Sequence, residues 1–212
     1  MSSRRILATD INEMDRIYRL NLINSLSGYK SANLIGTESK GLSNLAIFNS
    51  VVHLGANPPL LGMIQRPHTV ERQTLENIRE SGIYTINHLT EELVKRGHYT
   101  SAKFEREESE FEKCNIEKEY LEGFNAPFVK ESPIKIGMQL REEIPIKSNG
   151  TILIVGEVVL LEIREDLFTE NGQLDLNSGK ITAISGLNRY HRVKEIAIYP
   201  YARKEELPDF KE

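Results

Sequence analysis

The segment from Ser132 to Ile163 constrains this chain more than any other. "SPIKIGMQLREEIPI" alternates apolar and polar side chains over several residues, the period-two signature of a strand with one buried face. "TILIVGEVVLLEI", 13 residues long, is a second β run. Between them Ser148-Asn149-Gly150 supplies the Asn-Gly pair that a tight antiparallel hairpin favours. The same 13-residue run is the most apolar in the chain, and with Glu157 inside it is too short and too interrupted to cross a bilayer as a helix.

The rest of the pattern is mixed. Met14, Ile17, Leu20 and Leu22-Ile23 recur at helical spacing and predict a helix over about 13–27. "SANLIGTES" reads as a strand ending in a turn, and "LLGMIQ" as a short buried strand bounded by Pro58-Pro59 and Pro67. "RQTLENIRESG" has helical rhythm with Gly82 as its stop, and "IYTINHL" returns to β character. "TEELVKRG" predicts a helix capped by Thr90 and closed at Gly97, while "HYTSAKFEREESEFEKC" is polar enough to lie mostly on the surface. "FTENGQLDLNSGK" is a turn-rich excursion, and "TAISGLNRYHRV" opens the C-terminal segment. No repeat or Pro/Gly/Ser-rich linker divides the 212 residues, so one domain over 1–212 is expected. Several strands joined by hairpins, with two or three peripheral helices, predict a mainly β antiparallel barrel rather than a doubly wound α/β sheet. No G-x-G-x-x-G or Walker A loop is present, so a nucleotide-like ligand must be held in another way.

Charge and cysteine content narrow the function classes. A net charge of −4, with Lys and Arg scattered, argues against nucleic acid or an anionic membrane as partner. Cys114 is single, which excludes an intrachain disulfide and a multi-cysteine metal site, and its surroundings favour a tolerated thiol over a nucleophile. His53, His68, His88, His98 and His191 show no paired metal-ligand spacing, so no metal is expected. "MSSRRILATDINEMDR" carries positive charge with no apolar run behind it, and the expected location is the cytoplasm.

The stretch "GTESKGLSNLAIFNSVVHLGANPPLLG" fits neither a simple strand nor a simple helix, because amides and hydroxyls interrupt an otherwise apolar run. With "QRP", "RQTLENI", "YTINHL", "ILIVGEVV" and "SGLNRY" following in order, it resembles the flavin reductase-like family, whose members have an FMN-binding split barrel. The similarity covers roughly residues 15–195. It rests on six weak pieces in the right order rather than on one strong motif.

The resemblance implies a split-barrel fold, FMN as cofactor, NADH or NADPH as reductant and a homodimer. A partner monooxygenase or another electron acceptor would take the electrons. Thr37 and Asn44 would meet the ribityl chain or phosphate. Leu45, Ala46 and Val51 would approach the ring, Asn49 and Ser50 its polar edge, and Arg72 and Arg66 the phosphate, with Ser101 nearby. Plainer readings stand beside these: Asn44 as a turn residue, Ser50 as a small filler, Arg66 in a surface ion pair, Arg72 as a solvated helix-start residue. Turns between strands are expected to supply the phosphate donors.

Two positions depart from the family's pattern. Gly28-Tyr29-Lys30-Ser31 replaces a Pro-Arg-Pro-like step, and Thr151 stands where many relatives have His. Both put the reductant or acceptor in doubt more than FMN itself. No Ser-His-Asp or Cys-His arrangement appears, and no side chain is expected to act as a nucleophile. The leading expectation is an NAD(P)H-dependent flavin reductase. The alternatives are a non-catalytic FMN-binding sensor or storage protein, and a purely structural β-barrel partner.

Overall fold

A computed structural model describes residues 3–67 and 72–210. The strands in chain order are β1 (Lys30–Ser31), β2 (Asn33–Ser39), β3 (Leu42–Phe48), β4 (Val52–Ala56), β5 (Pro59–Gln65) and β6 (Ile83–His88). They continue as β7 (Lys118–Glu119), β8 (Phe128–Val129), β9 (Ile134–Ile146), β10 (Thr151–Ile163), β11 (Thr182–Ser185) and β12 (Arg189–Arg192). The α-helices are α1 (Ala8–Glu13), α2 (Arg16–Leu26), α3 (Gln73–Ser81), α4 (Val94–Tyr99) and α5 (Glu110–Lys113). The protein is mainly β, and its strands pair antiparallel.

Seven strands form the main sheet in the order β3-β2-β6-β9-β10-β5-β4. Its two outer strands, β3 and β4, are consecutive in the chain and joined by residues 49–51 alone. So short a link spans at most about 14 Å from Phe48 to Val52. The sheet must therefore curl until its edges meet, which makes a barrel with a seam, the split barrel expected from the sequence. Ser50 clasps the seam: its Oγ donates to the Ile64 carbonyl at 3.2 Å and accepts from the Ile64 N–H at 3.1 Å.

The predicted hairpin is the longest feature. Thr151 pairs with Ile146 across the turn, and the ladder runs to Ile163 opposite Ile134 with two register shifts. Inside the barrel Ile35, Met63, Tyr84, Ile86, Met138 and Ile154 pack with Leu75 and Ile78 of α3, which caps one end. A second apolar cluster outside the barrel joins Leu34 and Leu45 to Leu89, Leu93, Phe111 and Ile116.

Several local expectations differ. The N-terminal helix is two helices, α2 being capped by Asp15, whose carboxylate accepts from the Ile17 and Tyr18 N–H groups. α2 buries no residue, and Ile17, Tyr18, Leu20, Ile23 and Leu26 face outward. "TEELVKRG" is a 3-10 turn (Glu91–Leu93) followed by α4, and Thr90 makes no side-chain cap bond. Gly97 lies inside α4 instead of ending it, because a Cβ there would come 2.5 Å from Leu89 Cδ1. The segment read as surface buries Thr100, Glu110, Phe111 and Cys114. Burial raises the Cys114 thiol above its ordinary pKa, with the Glu110 charge adding to the effect.

Candidate functional site

A cleft of about 520 Å³ lies at the seam where the barrel closes. One wall is the end of β3 and its link to β4: Ala46, Phe48, Asn49 and Ser50. The end of β5 adds Ile64, Gln65 and Arg66. Arg72, Gln73 and Thr74 bring the N-terminus of α3 to the cleft, and Thr100 to Arg106 form the wall after α4. The same fold event, sheet closure through residues 49–51, thus joins segments far apart in the chain.

At the back a polar network fixes β3. Glu110 accepts from the Leu45 N–H at 2.9 Å and from Asn44 Nδ2 at 3.2 Å, while Thr74 Oγ1 donates to Asn44 Oδ1 at 3.3 Å. Burial holds the Glu110 pKa above its ordinary value, opposed by the hydrogen bonds from Leu45 and Asn44. Cations gather toward the mouth. Among the described residues, Arg66, Arg72 and Lys103 form no ion pair, whereas Arg106 is tied to Glu76. The Arg72 guanidinium donates, among the described residues, to the Pro67 carbonyl, Nε to O at 3.5 Å.

α3 adds to this field. Arg72 is its N-cap and provides no side-chain cap; its own N–H donates to Glu76 Oε1 at 3.3 Å, while the N–H groups of Gln73, Thr74 and Leu75 have no side-chain acceptor among the described residues and lie beside the Arg72 guanidinium. Such a terminus attracts anions through its N–H donors and its dipole. The sequence had suggested strand turns as the source of phosphate donors; the fold offers a helix end as well. Apolar side chains (Phe48, Ile64 and Phe104) complete the lining. A flat, partly apolar molecule carrying an anionic group suits this surface.

Seven of the ten expected residues line this cleft: Asn44, Ala46, Asn49, Ser50, Arg66, Arg72 and Ser101. Asn49 Nδ2 donates to the Gly186 carbonyl at 2.7 Å, and Ser101 Oγ donates to the His98 carbonyl at 2.7 Å. The other three sit outside the lining. Thr37 is fully buried and its hydroxyl accepts from Asn77 Nδ2 at 3.1 Å. Leu45 is fully buried in the outer cluster, and Val51 packs against the barrel core. His98 lies behind the Thr100–Arg106 wall with Nδ1 3.0 Å from Tyr190 Oη. His68 lies outside the described residues.

Sequence reasoning missed Gln65, Gln73, Thr74, Thr100, Lys103, Phe104 and Glu110 as lining residues. Only Gln65 carried a readable signal, a polar residue at the inward end of "LLGMIQ".

Residues 30–184 match the family model described as the flavin reductase like domain. The chain belongs to the flavin reductase-like family. Among solved structures, this flavin reductase-like chain is similar to a protein from Shewanella frigidimarina NCIMB 400 assigned as a flavin reductase with split barrel domain. The two are 44% identical with a TM-score of 0.91, over 94% of this chain and 100% of that one. Nitrilotriacetate monooxygenase component B from Bacillus cereus shares the fold at 24% identity, TM-score 0.82, over 93% and 100% of the two chains. An FMN-binding protein from Thermus thermophilus does so at 18% identity, TM-score 0.71, over 94% and 100%. No helix among the described residues is long and apolar enough to cross a membrane.

Proposed function

We propose that this flavin reductase-like protein is an FMN-dependent oxidoreductase that uses NADH or NADPH to reduce flavin, the whole chain, 1–212, acting as one domain in the cytoplasm. The observation that carries this reading is the meeting, at one cleft, of Arg66, Arg72 and Lys103, which form no ion pair among the described residues, with the start of α3, whose N-cap Arg72 makes no side-chain cap bond. Cations grouped beside the N–H donors of a helix start are matched to a phosphate monoester. The residues therefore fit FMN: the phosphate against Arg72 and the α3 terminus, and the ring against the seam between Ala46–Ser50 and Ile64–Arg66.

Bound FMN would supply the hydride and electron chemistry. This chain's own residues bind and orient. Arg72 and Arg66 neutralise the phosphate, Thr74 and Glu110 hold Asn44 in one orientation, and the Ser50 clasp keeps the two ring-facing strand ends at fixed separation. Phe48, Ile64 and Phe104 exclude water from part of the cleft.

The bare apolar surface at both ends of the chain supports a homodimer. α2 buries nothing, and Ile196, Tyr199 and Tyr201 are 98%, 84% and 87% exposed. A second copy of the chain would cover such groups. Reduced flavin would then pass to a separate acceptor such as a partner monooxygenase.

The test is anaerobic addition of NADH, then NADPH, to purified protein loaded with FMN. Bleaching of the visible flavin absorbance at a rate far above that of free FMN supports the reductase. Bound flavin that neither nicotinamide reduces rejects that activity and leaves a flavin-binding protein.

A further inference from the structure

β5 points Leu61, Met63 and Gln65 to one side, since alternate residues of a strand share a face. Leu61 and Met63 pack in the barrel core, so position 65 belongs to an inward, apolar series. It holds an amide instead. Gln65 is only 4% exposed, lines the cleft, and its Oε1 is sealed from solvent with no hydrogen-bond partner among the described residues. A buried acceptor left unmatched costs stability, and nearly all native ones are satisfied. A violation of the strand pattern at a cleft wall is the mark expected of a residue retained for a ligand.

The geometry points to Gln65 as a specificity residue that recognises the imide edge of the flavin ring through its carboxamide. This inference rests on the flavin reading above. The pyrimidine edge of an isoalloxazine presents one donor, N3–H, flanked by two carbonyl acceptors. A carboxamide presents an acceptor and a donor side by side, so Gln65 Oε1 accepts from N3–H while Nε2 donates to the adjacent carbonyl. The neighbourhood suits a ring edge. Ser50 is fixed on Ile64, the residue before Gln65, so the wall beside the amide is rigid. Asn49 has its Nδ2 committed to Gly186, leaving Oδ1 as an acceptor and no second amide pair to compete. Gln65 thus chooses the ring, while Arg72 and the α3 terminus choose the phosphate.

The experiment compares the dissociation constants of FMN and N3-methyl-FMN, a probe whose ring donor is blocked. Fluorescence titration is run on the full-length wild type, Gln65→Met and Gln65→Leu, with thermal melting of each protein without flavin. Wild type should bind FMN roughly three- to tenfold more tightly than the methylated probe, the effect of the one neutral hydrogen bond from N3–H that methylation removes. Both variants should bind the two flavins alike, near the weaker constant. Without flavin they should melt at or above the wild-type temperature, because an unmatched amide has been replaced by an apolar group. Equal wild-type affinity for the two flavins overturns the assignment, as does a variant that keeps the preference. If wild type binds neither flavin, the cofactor reading itself fails and takes this one with it. Wild-type discrimination is readable even if a variant does not fold.

Discussion

His88 should make the stability of this protein fall between neutral and mildly acidic pH. It closes β6 opposite Asn33 of β2, and its Nδ1 is sealed from solvent without a hydrogen-bond partner among the described residues. Burial lowers its pKa from 6.5 to about 4, so the folded state keeps the ring neutral where the unfolded chain protonates it. The contribution is complete above the unfolded pKa and is lost as pH falls through 6.5 toward about 4. A gap of about 2.5 pH units corresponds to roughly 3.4 kcal/mol at the acid limit, of which about 2 kcal/mol is already gone at pH 5. Urea unfolding at pH 7.5 and pH 5.0 reads this directly. Wild type should lose about 2 kcal/mol more than His88→Gln over that interval, a difference well above the error of such measurements. Other titrating groups act on both proteins and cancel in the comparison. Equal losses would refute the reasoning, since they would show that His88 protonates as readily in the folded protein as in the unfolded chain.

Ser50→Ala removes the clasp at the seam and leaves the Ile64 N–H without its partner, so it should cost about 1–3 kcal/mol in urea unfolding. The same variant should also bind FMN more weakly in a fluorescence titration. Gly156→Ala places a Cβ 2.2 Å from Tyr84 Oη, and the barrel must shift to admit it. About 1–3 kcal/mol of destabilisation is expected from that overpacking, and an unchanged melting temperature would contradict it. Replacing Ile198 and Tyr199 with Asp in one chain should convert the dimer to a monomer in light scattering. A wild-type mass of one chain would remove the basis for the expectation.

The parts of the fold legible in the sequence were those fixed locally. The β9–β10 hairpin follows from alternation on both sides of Asn149-Gly150, and Gly82 closes α3 in the left-handed region as its position suggested. An antiparallel barrel was expected from the hairpin-joined strands, but its split seam was legible only through family resemblance, because it depends on β3 and β4 being opposite edges of a sheet whose other strands lie elsewhere in the chain. Polar composition misled at "FEREESEFEKC": Glu110 is buried because a backbone N–H and an amide pay it with hydrogen bonds, which no pattern of side-chain polarity records. Gly97 misled for the opposite reason, as its glycine answers a close approach by Leu89 rather than a helix end. In the cleft, residues expected on the quoted β3 segment line one wall, whereas in the stretch from Thr100 to Arg106, read as mostly surface, Ser101 alone was expected. Three of the expected residues lie outside the lining: Leu45 takes the strand face opposite to Asn44 and Ala46, Thr37 shares the face of its partner Asn44 but is buried against Asn77, and Val51 in the link packs on the barrel core.

The account depends on a phosphate site built from Arg72 and the start of α3. Its most direct measurement is equilibrium binding of FMN and of riboflavin, which differ only in the phosphate, to wild type and Arg72→Ala. Wild type should hold FMN at least about tenfold more tightly than riboflavin, and Arg72→Ala should lose most of that preference while its riboflavin affinity stays the same. Equal binding of the two flavins by wild type, or an undiminished preference in Arg72→Ala, would contradict it.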